Sequence, residues 1–169
     1  MGDFRGELGD PDLAHFYDYW VSLCRGRSMP SRKDIDPLQI PPGYLPNLML
    51  IDVFHEPRRY RYRLVGTTVV QASGDDRTGR FFDEVDFFKI HPLVMGQYAH
   101  VVDTGLPLYS LEPFTNLRNG SNFDVDRLLL PLSADGQRVD MLAVLFHFKS
   151  GPHARPLSRP PTPRHAAGT

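Results

Sequence analysis

Seven histidines, a lone cysteine, three arginines in alternation and three close pairs of acids are the side chains of this 169-residue chain that could do chemistry. General acid–base work needs two carboxylates held in different environments across a pocket. Asp75-Asp76 and Asp83-Glu84 are adjacent in predicted loops, and Asp124 and Asp126 share one face of a predicted strand, so caps and solvated faces account for them. His15, His55 and His147 are scattered without metal-ligand spacing. His91 and His100 fall on one predicted helix. Ser73 and Ser133 lack the strand-to-helix elbow of a nucleophilic serine, and the run from Gly66 to Gly74 has no lysine with which to hold a phosphate. Arg59, Arg61 and Arg63 form a basic stripe, the pattern expected of the outer face of an edge strand guarded against aggregation. No catalytic constellation emerges, and catalysis is not predicted.

The elements that would position these groups follow from periodicity and breakers. Asp10-Pro11 is an N-cap followed by proline at the first helical position. Leu13, Phe16, Tyr17, Trp20, Leu23 and Cys24 then recur at helical spacing up to a stop at Gly26. This aromatic stripe must cover something, because an isolated helix of that length is marginal in water; Phe16, Trp20 and Leu23 are its candidate interface residues. Asp36-Pro37 predicts a second, short helix ended by Pro41-Pro42. Strands are predicted over 48–55 and 59–65, the second with Tyr60, Tyr62 and Leu64 opposite the arginines. A short helix through Ala72 closed by Gly74, and a longer one over 86–104 with its main body from His91-Pro92, come next. Three strands follow, over 106–114, 123–132 and 138–148. The last has Met141, Ala143 and Leu145 on one face and Leu142, Val144 and Phe146 on the other, so it should be a central strand covered on both sides. The N-terminal helix is the candidate cover, from the same chain or from a second subunit.

The chain therefore divides into a flexible N-terminus (1–10), an amphipathic helix (11–27), an α+β domain (28–150) and a proline- and arginine-rich tail without acids (151–169), expected to be disordered. A net charge of −1 offers no global field for nucleic acid or an anionic membrane. No apolar run approaches the ~20 residues of a spanning helix. The polar, acidic start does not suit a secretory signal, which points to the cytoplasm.

Two strands, short helices, a longer helix and three strands is the order of the PAS fold. The chain resembles a bacterial family of small stand-alone PAS-type proteins through Trp20 with Pro30-Ser31-Arg32-Lys33-Asp34-Ile35-Asp36-Pro37, the Leu45-Pro46 turn, and Tyr62-Arg63-Leu64-Val65-Gly66-Thr67. Gly74 with Thr78-Gly79, and Leu130-Pro131-Leu132-Ser133 with Asp135-Gly136, complete the resemblance. It implies a five-stranded antiparallel sheet with helices on one face and a pocket between them, serving a sensory or adaptor module. Tyr60, Tyr62, Leu64, Val69, Tyr98, Val101, Met141, Ala143 and Leu145 are the expected pocket wall, with Thr67, Tyr98 and Tyr109 as polar anchors. Such a pocket would take a small apolar or aromatic ligand. Output would pass through a signalling partner or a homodimer. In the alternative, Phe81, Phe82, Phe87, Phe88 and Tyr98 fill the core and leave a pure interaction module. A lesser alternative is a haem sensor with His91 or His100 as axial ligand; the sequence itself requires no cofactor. Flavin-adduct photochemistry would need a cysteine between Thr67 and Thr78, and there is none. An α+β enzyme would need an inward acid–base pair that the alternation does not supply.

Overall fold

The computed structural model describes residues 3–154, 156 and 157. Its centre is a five-stranded antiparallel sheet of β1 (Leu48–His55), β2 (Arg58–Val65), β3 (Leu108–Thr115), β4 (Asn122–Leu132) and β5 (Met141–Phe148), ordered β2-β1-β5-β4-β3. β5 is central, as two apolar faces require, and β2 and β3 form the edges. Helices α1 (Phe4–Glu7) and α2 (Pro11–Cys24) precede the sheet, and α3 (Thr67–Ser73), α4 (Phe87–Ile90) and α5 (Pro92–Thr104) connect β2 to β3.

Helix α2 begins as its sequence dictates. Asp10 accepts hydrogen bonds from the backbone of Asp12 (2.9 Å) and Leu13 (3.2 Å), and Pro11 follows the cap. The helix stops one residue earlier than expected, at Arg25 in the left-handed region (φ 49°). It covers the outer face of its own sheet. Leu13, Phe16, Trp20 and Leu23 are all buried, and the Trp20 indole donates to the Pro131 carbonyl across the chain (3.0 Å). Phe16, Trp20 and Leu23, expected as an interface, are therefore intramolecular core. The expected helix after Asp36-Pro37 is instead a turn, with Leu38 and Gln39 amides turning back onto Asp36. A 3-10 turn over Arg32–Asp34, closed by reciprocal Ser31 and Asp34 capping bonds, sits ahead of it.

Two of the motifs behind the resemblance are joints. Gly66 follows β2, and a Cβ there would lie 2.3 Å from the Pro46 carbonyl oxygen, so the Leu45–Asn47 turn and the start of α3 fit only around glycine. The β4–β5 connection is organised by Ser133 and Asp135. The Ser133 hydroxyl accepts from the Gly136 amide (2.9 Å), and Asp135 accepts from Gln137 and Arg138 (2.9 and 3.0 Å). These bonds hold the Asp135 carboxyl down at about 2. The Ser133 amide donates to Pro30 (2.9 Å), tying this corner to the segment after α2.

Parts of both chain-end segments lie within the described residues. Residues 4–7 form α1, whose Arg5 makes a bidentate pair with Asp18 (2.7 Å each), and Leu8 is buried. Leu157 is buried and its amide donates to Asp12 (2.8 Å). The rest of the expected tail, 158–169, lies outside the described residues.

β2 carries a bulge. Leu50 pairs with Leu64 but Ile51 pairs with Tyr62, which leaves Arg63 unopposed and reverses the alternation beyond it. Leu64 consequently faces outward, 42% exposed, and Val65 takes the inward position. The loop after α3 closes onto the free edge of β2: Tyr62 donates to Arg80 (2.9 Å) and accepts from Gly79 (2.7 Å). The other edge, β3, is interrupted by Pro113.

The arginine stripe is largely paired within the chain, three guanidiniums against two carboxylates. Arg59 makes a bidentate pair with Asp83 (2.7 and 2.8 Å) and stacks on Phe81 (3.7 Å), Arg61 holds Asp52 (2.8 and 3.1 Å), and Arg63 lies 3.7 Å from Asp52.

Candidate functional site

The inner face of the sheet and helices α3–α5 enclose a cavity of about 20 Å³, room for about one water molecule. Pairing fixes its floor. Phe146 opposes Arg127, Val144 opposes Met49, and Met49 opposes Val65, so these side chains share the inner face. Tyr62 comes from β2, Val69 and Ser73 from α3, Phe87 and Phe88 from α4, Tyr98 from α5 and Phe114 from β3. A network of aromatic rings closes the rest: Phe82 packs on Tyr62 (4.6 Å between centroids), Phe88 (4.3 Å), Tyr98 (5.2 Å) and Tyr60 (5.3 Å).

Of the expected wall residues, Tyr62, Val69 and Tyr98 line this cavity. Tyr60 and Val101 are buried in the same core without reaching it, and the Tyr60 hydroxyl has no hydrogen-bond partner. Met141, Ala143 and Leu145 lie on the opposite face, beneath α2 and the segment after it. The cavity takes Phe146 instead. Leu64 is displaced by the bulge. Thr67 is exposed at the first turn of α3. Tyr109 is on the outer face, beside Gly9, one position out of phase with Ser110 and Phe114. Phe81 also leaves the core, for Arg59 and Phe54.

Two residues that the periodicity did not single out dominate the chemistry of the cavity. Arg77 and Arg127 both line it and are 4% and 3% exposed. Arg127, in the middle of β4, donates through Nη2 to Gln97 of α5 (2.7 Å) and Ser110 of β3 (3.0 Å), while its Nε has no partner. Arg77 lies in the loop between α3 and the Gly79–Arg80 clasp on β2. Its guanidinium sits 5.3 Å from the centre of the Phe87 ring, and Nε and Nη2 have no partner. Burial lowers the Arg127 guanidinium from its ordinary range, opposed by the nearby Tyr98 and Glu112. The Tyr62 and Tyr98 phenols are pushed up by burial and drawn partly back by the arginines, Arg77 for Tyr62 and both for Tyr98. Arg127 stands between Asp126 and the apolar run Leu128-Leu129-Leu130, at an alternating position of the predicted strand, and that was the one sequence signal for it. Arg77, in a polar loop, gave none.

The cavity wall lacks a nucleophile or base free to react. The Ser73 hydroxyl is within hydrogen-bonding distance of the Val70 and Asp75 carbonyls (3.1 and 2.8 Å). His91 is taken up by Thr115 (2.7 Å), and His100 is exposed on α5. A space of about 20 Å³ does not fit a porphyrin. Among the described residues no group of three or more His, Cys, Asp or Glu side chains could hold a metal ion, and no helix is long and apolar enough to cross a membrane. Cys24 is buried in α2 on the far side of the sheet.

Residues 9–146 match the PAS domain family, and the chain belongs to it. The match takes in α2 as well as the sheet. Among solved structures the chain is similar to the LOV protein of Rhodobacter sphaeroides, at 13% identity and a TM-score of 0.48 over 60% of this chain and 57% of that one. It is also similar to a point variant of RsLOV, at 14% identity and a TM-score of 0.46 over 88% of this chain and 69% of the other. No match was found among curated proteins. The family, and a five-stranded sheet with α3–α5 on its inner face, are those of sensory signalling modules.

Proposed function

We propose that this chain is a non-catalytic PAS-type sensor whose input is a small ligand held between the inner sheet face and α3–α5. The observation that carries this reading is the enclosed cavity, where an aromatic wall meets buried polar groups with unused hydrogen-bonding capacity. Ligand sites share that composition, an apolar lining with a few convergent polar atoms. Occupancy would shift the population between packings of the helices, and the output surface would engage a signalling partner or a second copy. Because Phe16, Trp20 and Leu23 are buried between α2 and the sheet, they become an interface only if that helix leaves the sheet. The pairing of Arg59 and Arg61 within the chain supports a protein partner over nucleic acid. The expected setting is the cytoplasm.

The small size of the cavity favours a second reading, an interaction module whose core is filled by Phe82, Phe88 and Tyr98. Native mass spectrometry of protein purified from its own host separates the two. A retained small molecule, released on denaturation, is expected for the sensor. Bare polypeptide mass together with a stable complex captured through the outer surface overturns it in favour of the adaptor.

A further inference from the structure

We propose that the cavity is an anion site, and that the ligand is a short monocarboxylate held by Arg77 and Arg127. This deepens the sensory reading and rests on it. Two guanidiniums line one cavity, both more than nine-tenths buried, and neither has an ion-pair partner among the described residues. The acid whose charge acts on Arg127 is Glu112, which is half-buried and accepts a hydrogen bond from Gln97 (3.3 Å) and none from the guanidinium. The neutral partners Gln97 and Ser110 occupy Nη2 of Arg127, and the Tyr98 phenol also interacts with the guanidinium. Burying a charge without a counter-charge is among the costliest features a fold can carry. Here two like charges share one enclosed space, and three of their nitrogens (Arg77 Nε and Nη2, Arg127 Nε) await acceptors. An anion supplies both the missing charge and the missing acceptors.

The chemistry of the wall narrows the class. Guanidinium forks match the planar, two-oxygen geometry of a carboxylate. The wall adds the hydroxyls of Ser73, Tyr62 and Tyr98, and its apolar remainder of Phe87, Phe88, Phe114, Phe146, Val65 and Val69 suits a short apolar tail. The cavity of about 20 Å³ holds about one water molecule as it stands, so even a small carboxylate enters only by displacing α4, which restricts the ligand to formate-to-propionate size. Arg127 also gives the site a route outward. It bridges β4 to α5 through Gln97, which in turn holds Glu112 of β3. A carboxylate that recruits Arg127 competes with Gln97 for its donors.

The test titrates the full chain with sodium formate, acetate and propionate, against acetamide, propionamide and sodium chloride at matched ionic strength. The readouts are thermal denaturation and the arginine Nε–H resonances. A saturable rise in Tm with a carboxylate, no rise with the amides, and shifts of the Arg77 and Arg127 resonances are expected. Arg127→Met and Arg77→Met should each weaken carboxylate binding roughly 10- to 100-fold, the loss of a hydrogen bond to a charged group. Each should also raise the Tm of the carboxylate-free protein, because an uncompensated buried charge is gone. A wild-type protein whose Tm and arginine resonances ignore carboxylates, or respond equally to chloride, overturns the assignment without recourse to the variants. If that protein still retains a neutral molecule from its host, the sensory reading stands and only the anion assignment falls. If it retains nothing and responds to nothing, both fall.

Discussion

Replacing Trp20 tests whether α2 is a structural part of the domain. Its side chain is 6% exposed and its indole N–H is bonded to Pro131. A buried tryptophan covers some 150–250 Å², which at ~25 cal/mol per Å² sets an upper bound of about 4–6 kcal/mol. Measured truncations of large aromatic residues cost about 3–5 kcal/mol, and that is the expectation for Trp20→Ala. Trp20→Phe keeps most of the ring but leaves the buried Pro131 carbonyl without its donor, for about 1–2 kcal/mol. The assay is urea unfolding followed by far-ultraviolet circular dichroism, since Trp20 is the only tryptophan and both variants lose the fluorescence probe. With a slope of about 2 kcal/mol per M, Trp20→Ala should lower the midpoint by roughly 1.5–2.5 M. The exposed outer face, which includes Leu50, Ala143 and Leu145, should also promote self-association. A loss below about 1 kcal/mol with an unchanged oligomeric state would refute the helix as a cover.

Gly66→Ala adds a Cβ 2.3 Å from the Pro46 carbonyl oxygen at an ordinary φ of −62°, so the penalty is all contact; a loss of about 1–3 kcal/mol by urea unfolding is expected. The Asp135 carboxyl, held at about 2 when folded, lies below its unfolded value near 3.9. It stabilises the β4–β5 turn fully above that unfolded value, and the contribution disappears as pH falls through about 2; carboxyl chemical shifts followed against pH should show this, and Asp135→Asn should abolish it. Arg61→Gln leaves Asp52, whose side chain is 12% exposed, with only Arg63 at 3.7 Å. A cost of about 1 kcal/mol, reduced at high salt, is expected from denaturation at two ionic strengths.

The elements were legible because their boundaries are local chemistry: Asp10-Pro11 starts α2, and Gly74 and Gly105 end α3 and α5 in the left-handed region (φ 75° and 65°). Which face of β5 looks inward was not legible, because Met141, Ala143 and Leu145 are as apolar as Leu142, Val144 and Phe146. Facing is settled only by pairing, through Phe146 opposite Arg127. Leu64 was misplaced for a different reason: a bulge at Arg63 breaks the period of two, and nothing in an unbroken alternation announces it. Tyr62, Val69 and Tyr98 were found because large apolar-bodied residues at the right phase belong in a core. Arg77 and Arg127 were missed because charge is normally read as solvent exposure, and their burial depends on contacts that are distant in sequence.

The clasp of Gly79 and Arg80 on β2, with Pro113 in β3, bears on how copies of this protein could meet. Open sheet edges are the usual template for strand addition. Here the middle of one edge already has its backbone groups satisfied by the loop that carries Arg77, and the other has a residue with no N–H to offer. Continuous sheets running from one molecule into the next are disfavoured on both sides. Association would have to be built from side chains on the faces and helices, where a small repacking alters the contact surface. The same clasp that guards the edge also holds Arg77 in the core, so loosening it would release a charge and an adhesive strand together.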